Sequence, residues 1–229
     1  FSLLIITGAI LMVTGLLFHR PLLFLFGASK STYPYASQYI TIYLLGTLSV
    51  MIALGMNPYI NSQGFARVGM LTVILGACTN LLLDPIFIFL FRMGVRGAAV
   101  ATVISQTLSA IWVLKFLTGK QATLKLKLST MKLDFARVMH ISALGLSSFM
   151  MSFTNSLVQI VCNKTLQQFG GDLYISIMTI LNSVREIAQT PIGGLTNGAS
   201  PVLSFNYGRK NYKAVKNGIW FATAIGVCY

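Results

Sequence analysis

Apolar runs of a length that soluble folds rarely use recur from one end of this chain to the other. A helix needs about 20 consecutive, mostly apolar residues to cross the hydrocarbon core of a bilayer. Such runs lie near 1–18, 36–57, 70–91, 97–114, 138–162, 173–205 and 217–229. The sixth is long enough to tilt or bend, and the last is cut short. No stretch of comparable length alternates apolar and polar residues as a strand would. In lipid a helix is the default because it satisfies its own backbone hydrogen bonds. The expected fold class is therefore all-α, a polytopic transmembrane helix bundle with about seven spanning segments.

The charges support this. Of the residues, 9% are charged, against about a quarter in a typical soluble domain. Seventeen Lys and Arg face four acids, a net charge of +13. In a soluble chain that balance would suggest nucleic acid. Here the bases sit in short gaps between apolar runs, so the expected partner is the lipid bilayer and not nucleic acid. Cys78, Cys162 and Cys228 have no paired spacing, and His19 and His140 stand alone. Neither a disulfide framework nor a zinc-type ligand set is indicated. The chain is apolar from Phe1 and stops at Tyr229 inside another apolar run, which reads as an interior piece of a longer protein.

The gaps alternate between the two membrane faces. Those after segments one, three and five hold five basic residues, and those after two, four and six hold eleven. Basic residues accumulate on the cytoplasmic side, so the first segment runs from inside to outside. The longest polar gap, roughly 117–137, is cytoplasmic on this count. Its Leu124-Lys125-Leu126-Lys127-Leu128 alternation would suit a path along anionic headgroups, but the preferred reading is an ordinary linker between two helical bundles.

Ionisable groups inside spanning segments are costly and usually functional. Asp84 lies well inside the third run, within Asn80-Leu81-Leu82-Leu83-Asp84-Pro85. Residues four apart share a helix face, so Asn80 and Asp84 are neighbours. Pro85 has no N–H and leaves the Leu81 carbonyl without its helical partner. One turn thus offers an amide oxygen, a carboxylate and a free carbonyl, the oxygen ligands a hard cation prefers; the carboxylate would also accept a proton. Gly97-Ala98-Ala99 opens the fourth run with residues small enough for close packing, and Thr102 would add a hydroxyl to the cluster. The alternative is that Asp84 pairs with a distant base or caps a kink.

Three further groups mark bends or cavity walls. Asn57 and Pro58 close the second run. Gln189 and Pro191 lie in the sixth run, followed by Pro201. Pro191 and Pro201 free the carbonyls of Ile187 and Asn197, so a bend is expected there. Broken helices at membrane depth are tolerated where they line a cavity.

These residues carry a resemblance. Gly55-Met56-Asn57-Pro58-Tyr59-Ile60-Asn61-Ser62-Gln63-Gly64 is followed by Asn80-x-x-x-Asp84-Pro85-Ile86-Phe87-Ile88 and by Gly94-x-x-Gly97-Ala98-Ala99-x-Ala101-Thr102. Gln189-x-Pro191-Ile192-Gly193-x-x-x-x-Gly198-x-x-Pro201 and Asn206-Tyr207-Gly208 come later. In this order the motifs resemble bacterial multidrug and toxic compound extrusion (MATE) carriers. The resemblance implies a twelve-helix, two-lobe fold, of which this chain would supply the third helix to the start of the ninth. Residues 1–118 would complete the first lobe, 119–136 would be a basic cytoplasmic linker, and 137–229 would begin the second lobe. The remaining helices of the full-length chain would then be its partners.

The resemblance also implies antiport: export of small organic cations, drugs and other xenobiotics across the cell membrane, in bacteria the inner membrane, in exchange for sodium ions or protons. It assigns the coupling ion to Asn80, Asp84 and Thr102, with sodium as the metal, and implies no cofactor beyond that ion. Some relatives carry an acid in the seventh helix, and the matching run here, 138–162, has none. A lipid-linked oligosaccharide flippase of the same superfamily is the alternative, and a membrane-embedded enzyme a third. The enzyme reading lacks a His–Glu cluster, a paired intramembrane Asp or a Ser–His–Asp set, so the expectation is that the protein is not an enzyme.

Overall fold

The computed structural model describes residues 1–126 and 134–229. Among them there is no strand, and helices account for nearly every residue outside short turns. The all-α class expected from the apolar runs is what the chain adopts. The structure divides into two compact units, Phe1–Phe169 and Gly170–Tyr229, each described by itself.

The first unit contains α1 (Ser2–Leu25), α2 (Tyr33–Leu45), α3 (Thr47–Gly55), α4 (Asn57–Ser62), α5 (Ala66–Pro85) and α6 (Val95–Thr118). It also holds the first half of α7 (Phe135–Gly208). Helix α5 passes at Pro85 into one π-helical turn, Ile86–Leu90. The missing amide of Pro85 removes a rung from the i→i−4 ladder, and the Phe91 amide instead donates to the Ile86 carbonyl, 3.0 Å away. The first expected run ends at residue 18, yet α1 continues to Leu25. Phe18 leaves helical angles (φ −107°, ψ 16°), three residues before Pro21, whose ring crowds the preceding turn. His19, Arg20 and Pro21 are therefore a kink and not a gap.

Helix α6 is the hub of this unit, packed against α5, α2 and α3. Gly97, Ala101, Ser105, Ser109, Val113 and Leu117 recur at every fourth position and are all buried. The stripe broadens from no side chain at one end to leucine at the other. Small residues let helix backbones approach where lipid supplies no hydrophobic driving force between helices. Large residues point outward: Leu81, Leu82, Phe89 and Leu90 are between 68% and 75% exposed. In water such a surface would be an association hazard; against acyl chains it is the favoured arrangement.

The second expected run, 36–57, is one bent element. Tyr33–Leu45 and Thr47–Ser62 meet at 60°, and the break falls at Gly46. A Cβ there would stand 2.7 Å from Cγ2 of Val103 on α6, so the bend follows the contour of the hub. Pro58 sits in the first turn of α4, just after the α3–α4 junction at Met56.

The second unit is a helical hairpin. The 74-residue α7 would measure about 110 Å if straight, several times the hydrocarbon thickness. It breaks at Gly171 (φ 61°, ψ −157°), a conformation open essentially to glycine alone. The break separates the fifth and sixth expected runs. Lys210 turns the chain with positive φ, and Asn211 caps α8 (Tyr212–Cys228) by accepting from the Ala214 amide at 3.2 Å. Gly218 of α8 lies under Leu203. The Tyr207 and Tyr212 rings meet edge to face, 5.7 Å apart. Backbone angles stay helical through Pro191 and Pro201.

Among the described residues, four helices are long and apolar enough to cross a membrane, or five if the pair bent at Gly46 is one span. Dividing α7 at Gly171 and adding the 17-residue α8 recovers the seven expected segments.

Candidate cation-coupling site

Helices α5 and α6 approach closely along their small faces. A Cβ at Gly76 would lie 2.6 Å from the Ser109 hydroxyl, and one at Gly97 would lie 2.7 Å from the Phe87 carbonyl oxygen. Ser109 spans the seam by donating to the Thr72 carbonyl at 3.1 Å. Beside this seam is a cavity of about 180 Å³, lined by Thr72, Asn80, Thr102, Ser105, Gln106 and Ser109 together with apolar residues of α3 and α5.

The structure thus places Asn80 and Thr102, from adjacent helices, on one cavity wall. Asp84 joins through Asn80: the Asn80 amide donates to its Oδ1 at 3.2 Å, and both side chains are half-buried. The bond fixes the orientation of the carboxylate beside the cavity. Thr102 donates to the Ala98 carbonyl at 2.9 Å, which leaves its oxygen lone pairs able to accept or ligate. Among the described residues no three His, Cys, Asp or Glu come together. The chemistry present is one carboxylate with neutral oxygens, a set that favours a hard cation or a proton over a soft metal.

The remaining candidates lie elsewhere. Asn57 donates to the Gly69 carbonyl at 2.9 Å and accepts from Asn61 at 3.0 Å, joining α4 to α5. Gln189 and Pro191 are exposed on α7, with Pro201 partly covered. Sequence reasoning passed over Thr72, Ser105, Gln106 and Ser109. A signal was present: residues 102, 105, 106 and 109 have the three- and four-residue spacing of one helix face.

Apolar helices, a small-residue seam and a half-buried carboxylate next to a cavity that a few polar side chains enter define a class: a multi-pass α-helical membrane protein. A family model described as MatE matches residues 1–86 and 147–229, and the chain belongs to that family. It is 26% identical over 203 residues to "Multidrug export protein MepA" of Staphylococcus haemolyticus, a match covering 89% of this chain and 45% of that protein. The chain therefore spans about half the length of the curated relatives it matches.

Its fold is similar to a solved structure described as the outward-facing conformation of a multidrug resistance MATE family transporter of the MOP superfamily. The TM-score is 0.84 at 24% identity, covering 97% of this chain and 50% of that one. A MOP superfamily transporter from Pyrococcus furiosus gives a TM-score of 0.85 at 24% identity over the same shares. At that identity the likeness speaks for the fold alone. Asn80 and Asp84 lie in the stretch the family model matches, and Thr102 lies outside it.

Proposed function

We propose that the protein to which this chain belongs is a secondary antiporter that exports cationic, amphiphilic compounds in exchange for sodium ions or protons. The observation that carries this reading is the half-buried Asn80–Asp84 pair next to a cavity that Asn80 shares with Thr102. A carboxylate held in lipid without a function is a needless cost. As the coupling group it would alternate between an ion-bound and an empty state. The multidrug export name of the staphylococcal relative supports the choice of substrate class.

In this reading residues 1–118 complete one lobe, 119–136 link the lobes on the cytoplasmic side, and 137–229 begin the other. The lobes rock about a central path, as carriers built from internal repeats do. Ion binding at Asp84 would bias the α-to-π transition at Pro85, with Pro58, Pro191 and Pro201 as further hinge candidates. Asn57 and Gln189 would border the moving helices.

The test is efflux of a fluorescent cationic dye from proteoliposomes holding the full-length protein, under an imposed sodium or pH gradient. Gradient-driven efflux that is lost in Asp84→Asn supports the assignment. Unchanged efflux in that variant refutes the site, and no dye movement under either gradient refutes the function.

A further inference from the structure

At the more basic end of the first unit, α5 begins and α6 ends side by side, and the chain after α6 folds back against them. The Leu126 amide donates to the Leu117 carbonyl at 3.0 Å, the Leu124 amide donates to Gln63 Oε1 at 2.9 Å, and Ala122 is buried. The fold-back borders a cavity of about 440 Å³ whose walls include Val68, Trp112, Lys115, Phe116, Lys120 and Gln121.

Its chemistry is divided. Trp112, Phe116 and Val68 supply an apolar wall, and Lys115 and Lys120 supply two ammonium groups. Among the described residues neither lysine is paired with a carboxylate. The negative end of the α6 dipole would ordinarily oppose an anion here. Its last carbonyls are already engaged: Leu114 by the Thr118 hydroxyl at 2.8 Å, Phe116 by the Gly119 amide at 3.1 Å and Leu117 by Leu126. The Trp112 indole N–H is itself buried and without an acceptor, so the ring meets the cavity through its apolar atoms.

We propose that this cavity binds the phosphate headgroup of an anionic membrane lipid, with Lys115 and Lys120 on the phosphate and the acyl chains leaving along Trp112, Phe116 and Val68. By the positive-inside count this end faces the cytoplasm, where basic pockets between spanning helices meet anionic headgroups. A free phosphate would satisfy the lysines and leave the apolar wall unused. The assignment does not depend on the coupling role of Asp84.

The experiment uses the full-length protein in native mass spectrometry with phosphatidylglycerol, phosphatidylcholine or inorganic phosphate added. Wild type is compared with Lys115→Gln/Lys120→Gln, and with Lys125→Gln, whose side chain is exposed and outside the cavity. The expected result is that the double variant binds phosphatidylglycerol about 30-fold more weakly. Lys125→Gln should match wild type, and phosphatidylcholine should bind weakly to all three. Both cavity lysines are exposed, so a retained melting temperature is expected to accompany the loss. Equal phosphatidylglycerol binding by wild type and the double variant would overturn the site. Displacement of the lipid by millimolar inorganic phosphate would overturn the lipid and leave a soluble phosphate as ligand.

Discussion

Gly76 of α5 lies so close to Ser109 of α6 that a single added carbon would stand 2.6 Å from the serine hydroxyl. The same serine donates to the Thr72 carbonyl one turn earlier. The seam beside the candidate coupling site is therefore held by the absence of a side chain on one helix and a hydroxyl on the other.

Gly76→Ala should lower the thermal stability of the full-length protein in detergent by overpacking, about 1–3 kcal/mol. Ser109→Ala alone should cost about 0.6 kcal/mol, the typical worth of an interhelical hydrogen bond in a membrane protein. Removing the hydroxyl also makes room for a Cβ at 76. The double variant should then be more stable than Gly76→Ala, a non-additivity that melting curves of the four proteins would reveal.

Gly97→Ala should be worse than Gly76→Ala. Its added Cβ would meet the backbone at the Phe87 carbonyl, 2.7 Å away, and not a movable side chain. Because Phe87 is part of the π-helical turn, the substitution should force that turn open. Equal melting temperatures for the two single variants would contradict this.

Asp84→Asn should insert normally and lose coupled efflux. If sodium is the coupling ion, it competes with protons for the same carboxylate, since only the ionised form binds the metal. The apparent sodium affinity should then weaken as pH falls, and raising sodium should move the acid limb of the efflux profile to lower pH. Asn80→Ala removes the amide that holds the Asp84 carboxylate, so its apparent sodium affinity should be weaker than that of wild type at every pH. Efflux against sodium at several pH values checks both signs.

Gly171→Ala should destabilise the second unit by about 1–3 kcal/mol, because φ 61°, ψ −157° is not a conformation an alanine tolerates. The control is Gly193→Ala in the following helix, where a Cβ meets nothing within 4 Å. There alanine should be neutral or stabilising, since glycine in a helix interior costs about 1 kcal/mol. A scan of melting temperatures separates the two positions.

Much of the site was legible in the residues. The Asn80–Asp84 pairing follows from their spacing of four, and the structure joins them by a hydrogen bond. Thr102 reaches the same cavity as Asn80 because Gly97, Ala101 and Ser105 let α6 press close to α5. For Ser105, Gln106 and Ser109 the sequence carried only their shared face with Thr102; that this face and Thr72 meet at a cavity depends on how the partner helices pack. The bends show the same limit. Prolines at 58, 191 and 201 drew attention, yet the sharp breaks fall at Gly46 and Gly171.

The sequence by itself determined the class and the approximate spanning segments. Those properties depend on transfer of each residue and its backbone between water and lipid, a cost that composition alone nearly decides. Which face of each helix turns inward was decided only by the tertiary structure. In water an apolar stripe marks the buried face; in lipid both faces are apolar, and residue size takes over as the sorting property. The every-fourth-residue stripe of α6 became a core because α5, α3 and α2 close on it, and the cavity that Asn80 and Thr102 line exists only where that closure leaves room.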